Sequence, residues 1–196
     1  MQFQTTATFI LASASPRRKE LFSQFGIPFT IETADVDEQS IAVVSPEQYV
    51  RDVALLKARA VAANHPEAVI IGADTTVAFN GILLHKPSGV DEAVTHLTTL
   101  RGQQHDVFTA VAIIEPNGTE TVIVERTIVQ FKQFSDALLH AYIATGDPFD
   151  KAGGYGIQTD GMFLVERIEG DYLNVVGLPV ASLCEQLVAQ QLLTLV

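Results

Sequence analysis

The chain has no tryptophan, a single cysteine, and only 12 lysine and arginine residues against 23 aspartate and glutamate. One cysteine excludes an internal disulfide framework; in its apolar helical surroundings Cys184 reads as a small core residue. The net charge of −11 would repel nucleic-acid backbones and anionic bilayers, so neither a polynucleotide nor a membrane is expected as a partner. No apolar run approaches the roughly 20 residues that cross a bilayer. The opening Met1-Gln2-Phe3-Gln4-Thr5-Thr6 lacks the basic flank and apolar core of a secretion signal, and a cytoplasmic location is the expectation. The histidines (His65, His85, His96, His105 and His140) show no metal-ligand spacing, and no Gly-x-Ser-x-Gly elbow is present. Walker and dinucleotide-binding glycine patterns are missing as well.

What is present is a chain of 196 residues, 47% of them hydrophobic, enough for one sizeable core or two small lobes. Periodicity predicts strands over Thr8–Ala12, Pro28–Thr33 and Ala68–Gly72, and helices over Pro16–Phe25 and from the capping box Ser45-Pro46-Glu47-Gln48 to about Asn64. Asn80-Gly81 between Thr76–Phe79 and Ile82–Leu84 is a type I′ hairpin signal. Ser88 is expected to cap a helix to Leu100. A long hairpin follows over Val107–Glu115 and Thr119–Phe131, then a helix over Ser135–Thr145. Asp147–Gly161 is irregular, Met162–Ile168 a strand, and Pro179–Leu193 an amphipathic helix. Strands alternate with helices but hairpins interrupt them, which predicts an α/β fold with a mixed sheet and no firm boundary inside a single domain over 1–196.

Five of the 12 cations, Arg17, Arg18, Lys57, Lys86 and Lys151, fall in or beside the segments that look least like plain structure. The first is Leu11-Ala12-Ser13-Ala14-Ser15-Pro16-Arg17-Arg18-Lys19. Ser15 suits an N-cap and Pro16 the first helical position. Cations on a first turn oppose the helix dipole, and a bound anion would reverse that penalty; the plain alternative is an exposed basic helix start. Asp74 follows an apolar strand and is flanked by Thr75 and Thr76. It is expected at the C-terminal end of a buried strand, where its carboxylate can bind a divalent cation or take a proton from water; a turn-capping role is the alternative. Lys57 and Lys86 taken singly read as exposed lysines. Two arginines, two lysines and a strand-end carboxylate together point to a small anionic ligand with a metal held by oxygen atoms, magnesium or manganese. In Asp150-Lys151-Ala152-Gly153-Gly154-Tyr155-Gly156-Ile157-Gln158 the glycines allow close backbone approach, and Gln158 carries the donor–acceptor pair that reads a base edge.

These segments, with Asp35-Val36-Asp37-Glu38, Gly72-Ala73-Asp74-Thr75, Lys86-Pro87 and Asn174-Val175-Val176-Gly177-Leu178-Pro179, resemble the Maf family of nucleotide pyrophosphatases in order and over nearly the whole chain. The resemblance implies an elongated mixed sheet flanked by helices, as two lobes around a central cleft, a fold similar to that of inosine triphosphate pyrophosphatases. It implies a cytoplasmic protein, often a homodimer, that hydrolyses a nucleoside triphosphate to the monophosphate and pyrophosphate with a divalent cation (Mg²⁺ or Mn²⁺). Ala73-Asp74-Thr75 and Tyr155-Gly156-Ile157-Gln158 resemble the branch acting on dTTP, UTP and modified pyrimidine triphosphates. The alternatives are the sister branch acting on 7-methyl-GTP and a non-catalytic nucleotide-binding regulator of septum formation. Carried over by position, Asp74 would accept the proton of the attacking water, with Lys57 and Lys86 as its catalytic partners on the phosphates. Glu38 would join Asp74 at the metal, and Ser13, Ser15, Arg17, Arg18, Thr75, Lys151 and Gln158 would bind substrate. Within that set, Arg17, Thr75 and Gln158 would decide specificity.

Overall fold

Two polar caps and a run of apolar β-formers set the first third of the fold. The computed structural model describes residues 1–33 and 35–196. Its elements are β1 (Phe3–Gln4), β2 (Phe9–Ala12), α1 (Pro16–Ser23), β3 (Phe29–Ile31), α2 (Pro46–Ala62), β4 (Val69–Phe79), β5 (Ile82–Leu84) and α3 (Val90–Leu100). They continue as β6 (Gln104–Ile114), β7 (Glu120–Phe131), α4 (Asp136–Ala144), β8 (Val165–Glu169), α5 (Tyr172–Val176), α6 (Val180–Ala189) and β9 (Thr194–Leu195). The main sheet runs in the order β3-β2-β4-β6-β7-β8, with β5 also on β4, while β1 and β9 pair apart from it. Its ladders are mixed: β2 is parallel to β3 and β4, whereas β5 is antiparallel to β4 and β8 to β7. The mixed α/β class expected from the sequence is the class found.

The chain divides into two units, the first made of Met1–Asp74, Thr109–Glu125 and Gly177–Val196, the second of Thr75–Phe108 and Arg126–Val176. In the first, β2 is buried along all four residues and pairs with β4 from Phe9↔Val69 to Ala12↔Gly72, as a parallel strand covered on both faces should be. Ser15 caps α1, its hydroxyl accepting from the Arg18 N–H at 3.4 Å, with Pro16 in the first turn. Leu21 and Phe22 turn inward from α1, each contributing about 2–3 kcal/mol by burial. The Phe22 ring meets Phe9, Phe25 and Phe29 at 6.0, 5.3 and 5.0 Å. Ser45 caps α2 by accepting from the Gln48 N–H at 3.1 Å, but the Gln48 amide donates to Asp52 instead of returning to the cap. The chain's two ends close together as β1 and β9, with Phe3 opposite Leu195 and the Thr5 hydroxyl donating to the Leu192 carbonyl at 2.7 Å.

The second unit is built around Val77, Leu97, Leu100, Phe131, Leu139 and Leu164. Asn80 and Gly81 both have positive φ, 51° and 79°, as the type I′ turn between β4 and β5 requires. His105 is buried, its Nε2 2.8 Å from the Tyr155 hydroxyl and its ring edge-on to Phe131. The Asn174 amide donates to the Val107 carbonyl and the Thr127 hydroxyl, pinning α5 to the sheet.

Several expected boundaries change. Gly89, not Ser88, stands at the N-cap of α3, because the Ser88 hydroxyl and N–H both donate to Glu92 Oε2 at 2.6 and 2.8 Å. Residues 160–164 form a 3-10 turn, so β8 begins only at Val165. The C-terminal helix expected over Pro179–Leu193 is α6, Val180–Ala189, and a short α5 that was not expected precedes it across Gly177, whose φ of 124° no helix accommodates. Cys184 is half-buried on α6 and not a full core residue.

Candidate active site

Asp74 does not end its strand as expected. β4 continues to Phe79, and Asp74 lies two residues past Gly72, the last position paired with β2. The parallel partner stops there while β4 goes on, so the carboxylate emerges where one face loses its neighbour. The side chain of Asp74 is still only 12% exposed.

The Lys57 ammonium meets this carboxylate. Its Nζ lies 2.8 Å from Asp74 Oδ1 and 2.9 Å from Glu38 Oε1, so one lysine bridges two acids that the sequence separates widely. The approach depends on Gly72. A Cβ there would stand 2.6 Å from the Ala54 carbonyl oxygen and 2.8 Å from the Ala58 Cβ. Only a strand without a side chain lets α2 come this close, and Lys57 sits between those two alanines on the same helix.

Tyr49, about two turns before Lys57 on α2, belongs to the same environment. Its phenol is pushed up by burial and then by the charges of Asp74 and Glu38. Sequence reasoning missed it, since a tyrosine eight residues before Lys57 on an amphipathic helix carries no signal beyond core packing.

The first unit adds the start of α1. Ser13 is buried, and its hydroxyl accepts from the Ser15 N–H at 3.2 Å. Arg17 is half-buried. Arg18 turns back across the first turn: its Nε donates to the Gly177 carbonyl and its Nη1 to the Ala73 carbonyl, both at 2.9 Å. Burial pushes its guanidinium down from the ordinary arginine value, and Asp74 pulls it back up; it stays a cation. Glu38, Lys57, Asp74 and Arg18 thus form one electrostatic cluster, with Ser13 on the Arg18 side at 3.4 Å.

The remaining sequence candidates lie in the second unit. Thr75 is half-buried, and Lys86 is exposed beside the buried Pro87. The Gly153 N–H donates to the His85 carbonyl at 3.2 Å, which ties the Lys86 segment to the glycine-rich loop. Gly153 has a φ of 68°, and a Cβ there would press on Val77 at 2.9 Å. Lys151 is buried, and its ammonium donates to the Asp147 carbonyl, Asp147 Oδ1 and Asp150 Oδ1 at 2.8, 2.9 and 2.6 Å. Burial alone would push Asp147 up, but hydrogen bonds from Thr159, Lys151 and Tyr142 outweigh it and hold this carboxyl below its usual range. Lys151 therefore braces its own loop. Gln158 is exposed on the rim of an open hollow of about 660 Å³, shared with Asp147, Lys151, Thr159 and Met162.

Among the described residues no group of three or more His, Cys, Asp or Glu side chains is placed to hold a metal ion. The donor chemistry present is two carboxylates, Glu38 and Asp74, around one ammonium, with the Arg18 guanidinium close by. That set fits magnesium, which takes one or two protein carboxylates and fills its shell with substrate phosphate oxygens. It does not fit a closed all-protein site.

Comparison with known proteins gives matches that span these segments. The family model described as "Maf-like protein" matches residues 8–190. A dTTP/UTP pyrophosphatase of Moorella thermoacetica is 48% identical over 91% of this chain and 92% of its own length. Its counterpart from a Geobacillus species is 48% identical over 88% of this chain and 92% of its own. Among solved structures, the Staphylococcus aureus Ham1 protein is 14% identical and covers 64% of this chain and 72% of its own, with a TM-score of 0.48. A family match from the first buried strand to the end of α6, with close relatives aligned along nearly their whole length, leaves one conclusion: the chain belongs to the Maf family.

Proposed function

We propose that the protein hydrolyses dTTP, UTP and modified pyrimidine nucleoside triphosphates to the monophosphate and pyrophosphate. The observation that carries the reading is the Glu38–Lys57–Asp74 cluster; the substrate class is drawn from relatives of this length and identity named for that activity. Water attacks the α-phosphorus, the bond from that phosphorus to the α,β-bridging oxygen breaks, and pyrophosphate leaves. Asp74 accepts the proton of the attacking water. Lys57 and Lys86 neutralise charge that builds on the phosphates, Ser13, Ser15 and Arg17 hold them, and Thr75 and Gln158 discriminate the base. Magnesium or manganese, held by Glu38, Asp74 and the phosphate oxygens, would polarise the scissile phosphate. The net charge of −11 supports a soluble nucleotide as the partner over a polynucleotide. We place the protein in the cytoplasm.

The test is a panel of nucleoside triphosphates with Mg²⁺ or Mn²⁺, scoring pyrophosphate and orthophosphate separately. Pyrophosphate from dTTP and UTP, reduced roughly 10²- to 10⁴-fold in Asp74→Asn, is the expected result. Orthophosphate release, or turnover untouched in Asp74→Asn, rules the reading out. Binding without turnover would make the protein a nucleotide sensor.

A further inference from the structure

Arg18 lies in a basic helix start and invites assignment as a phosphate ligand, yet two of its hydrogen bonds run to backbone carbonyls. Nε donates to the Gly177 carbonyl and Nη1 to the Ala73 carbonyl, each at 2.9 Å. The Ala73 carbonyl belongs to the same peptide unit as the Asp74 N–H. Whatever fixes that carbonyl fixes the plane from which the Asp74 side chain leaves the backbone.

The second acceptor is equally built. Gly177 has a φ of 124°, which residues with a side chain rarely adopt, and it breaks the C-terminal helical region just where its carbonyl meets Arg18. The guanidinium is a rigid planar fork whose donors diverge at set angles. It can hold two carbonyls from separate segments at once, which the single ammonium of lysine cannot do in the same geometry.

We propose that Arg18 is a positioning residue, which locks the Ala73–Asp74 peptide against Gly177 and so aims the Asp74 carboxylate, and that it stays on these carbonyls when nucleotide binds. The inference rests on the pyrophosphatase reading for its chemistry. It gives the two neighbouring arginines different roles, Arg17 meeting substrate and Arg18 meeting the backbone.

The experiment compares Arg18→Lys with wild type in kcat on UTP and in affinity for α,β-methylene-UTP, whose scissile bond is blocked. A positioning role predicts a kcat at least roughly tenfold lower, since small misplacements of a reacting group cost that much or more, with analogue affinity within about twofold because the binding groups are intact. Arg17→Ala should show the opposite split, weaker binding with a smaller loss of kcat. A folded Arg18→Lys with wild-type kcat overturns the proposal, and so does a tenfold loss of analogue affinity. Should Arg18→Lys fail to fold, ¹⁵N-arginine labelling of the wild type decides. The Arg18 Nε–H should be slow to exchange with solvent and remain slow with the analogue bound; loss of that protection on binding overturns the proposal. A wild type that releases no pyrophosphate from dTTP or UTP defeats the pyrophosphatase reading itself, whereas an active wild type with an unimpaired Arg18→Lys defeats this inference alone.

Discussion

Between two carboxylates, the Lys57 ammonium occupies the place a metal cation would contest. Removing it leaves the Arg18 guanidinium to offset the charges of Glu38 and Asp74. Lys57→Met should therefore bind Mn²⁺ more tightly in the absence of nucleotide, by on the order of tenfold for one displaced unit charge at a largely buried site. Its turnover should fall about 10²- to 10³-fold as phosphate charge goes unneutralised. Manganese titration followed by electron paramagnetic resonance checks the first expectation; an unchanged affinity would show that the two acids do not act together. His105 supplies a pH dependence. Burial pushes its imidazole from the ordinary 6.5 down to about 3, so between those values the unfolded chain takes up a proton that the folded chain refuses. Stability is whole above pH 6.5 and declines as pH falls toward 3, with a slope approaching about 1–1.5 kcal/mol per pH unit. Asp147, held below its ordinary value, adds a loss of the same sign at lower pH. Urea unfolding at several pH values should give a shallower decline for His105→Gln than for wild type; equal slopes would locate the titration elsewhere. Asp74 was legible in the sequence from the apolar run before it and the hydroxyls after it. The contact of Lys57 with two acids was not, because residues 38, 57 and 74 share no helical or strand period and meet only through tertiary packing.

At the scale of elements, the approach of α2 to β4 decides whether that cluster exists. Gly72→Ala would place a methyl 2.6 Å from the Ala54 carbonyl oxygen, and helix and strand must part by several tenths of an ångström to admit it. We expect a loss of about 1–3 kcal/mol in stability, the usual cost of overpacking, together with a fall in kcat as Lys57 draws away from Asp74. Thermal unfolding and steady-state kinetics on the same sample test both, and a destabilised variant with full kcat would detach the packing from the chemistry. Signals that reside in one segment read correctly: the Ser15 and Ser45 caps and the Asn80-Gly81 turn each need only neighbours along the chain. Ser88 misled because Glu92, four residues on, competes for its hydroxyl and leaves Gly89 as the cap. The five-residue α5 is too short to establish a helical period, and the merged strand β4 was obscured because Asp74 and the two threonines interrupt its apolar run.

The first unit is closed by the pairing of β1 with β9. Leu193 is buried, Thr5 holds the Leu192 carbonyl, and β9 lies on β1. Deleting residues 191–196 should cost about 2–4 kcal/mol, most of it from the lost leucine, and should lower the melting temperature by ~5–10 °C for a chain of this size. An unchanged melting temperature would show that the closing pair is ornamental. No pattern in either terminal segment announces the pairing, since two-residue strands have no period to read. The bounds of the two units were equally hidden, because β4, β6 and β7 each begin in one and finish in the other. The family resemblance covered nearly the whole chain and foresaw the mixed sheet and the relatives.

That interleaving bears on how the chain is made. The first unit needs residues from the beginning, the middle and the last twenty positions, and Arg18 finds its second carbonyl only at Gly177. A ribosome delivers Arg18 long before Gly177, 159 residues further along the chain. During translation the basic helix start must wait for that carbonyl while nearly all of Thr75–Val176 emerges. A chain that has not yet reached Gly177 carries both Lys57 and Asp74 yet lacks one carbonyl of the clamp proposed to aim them.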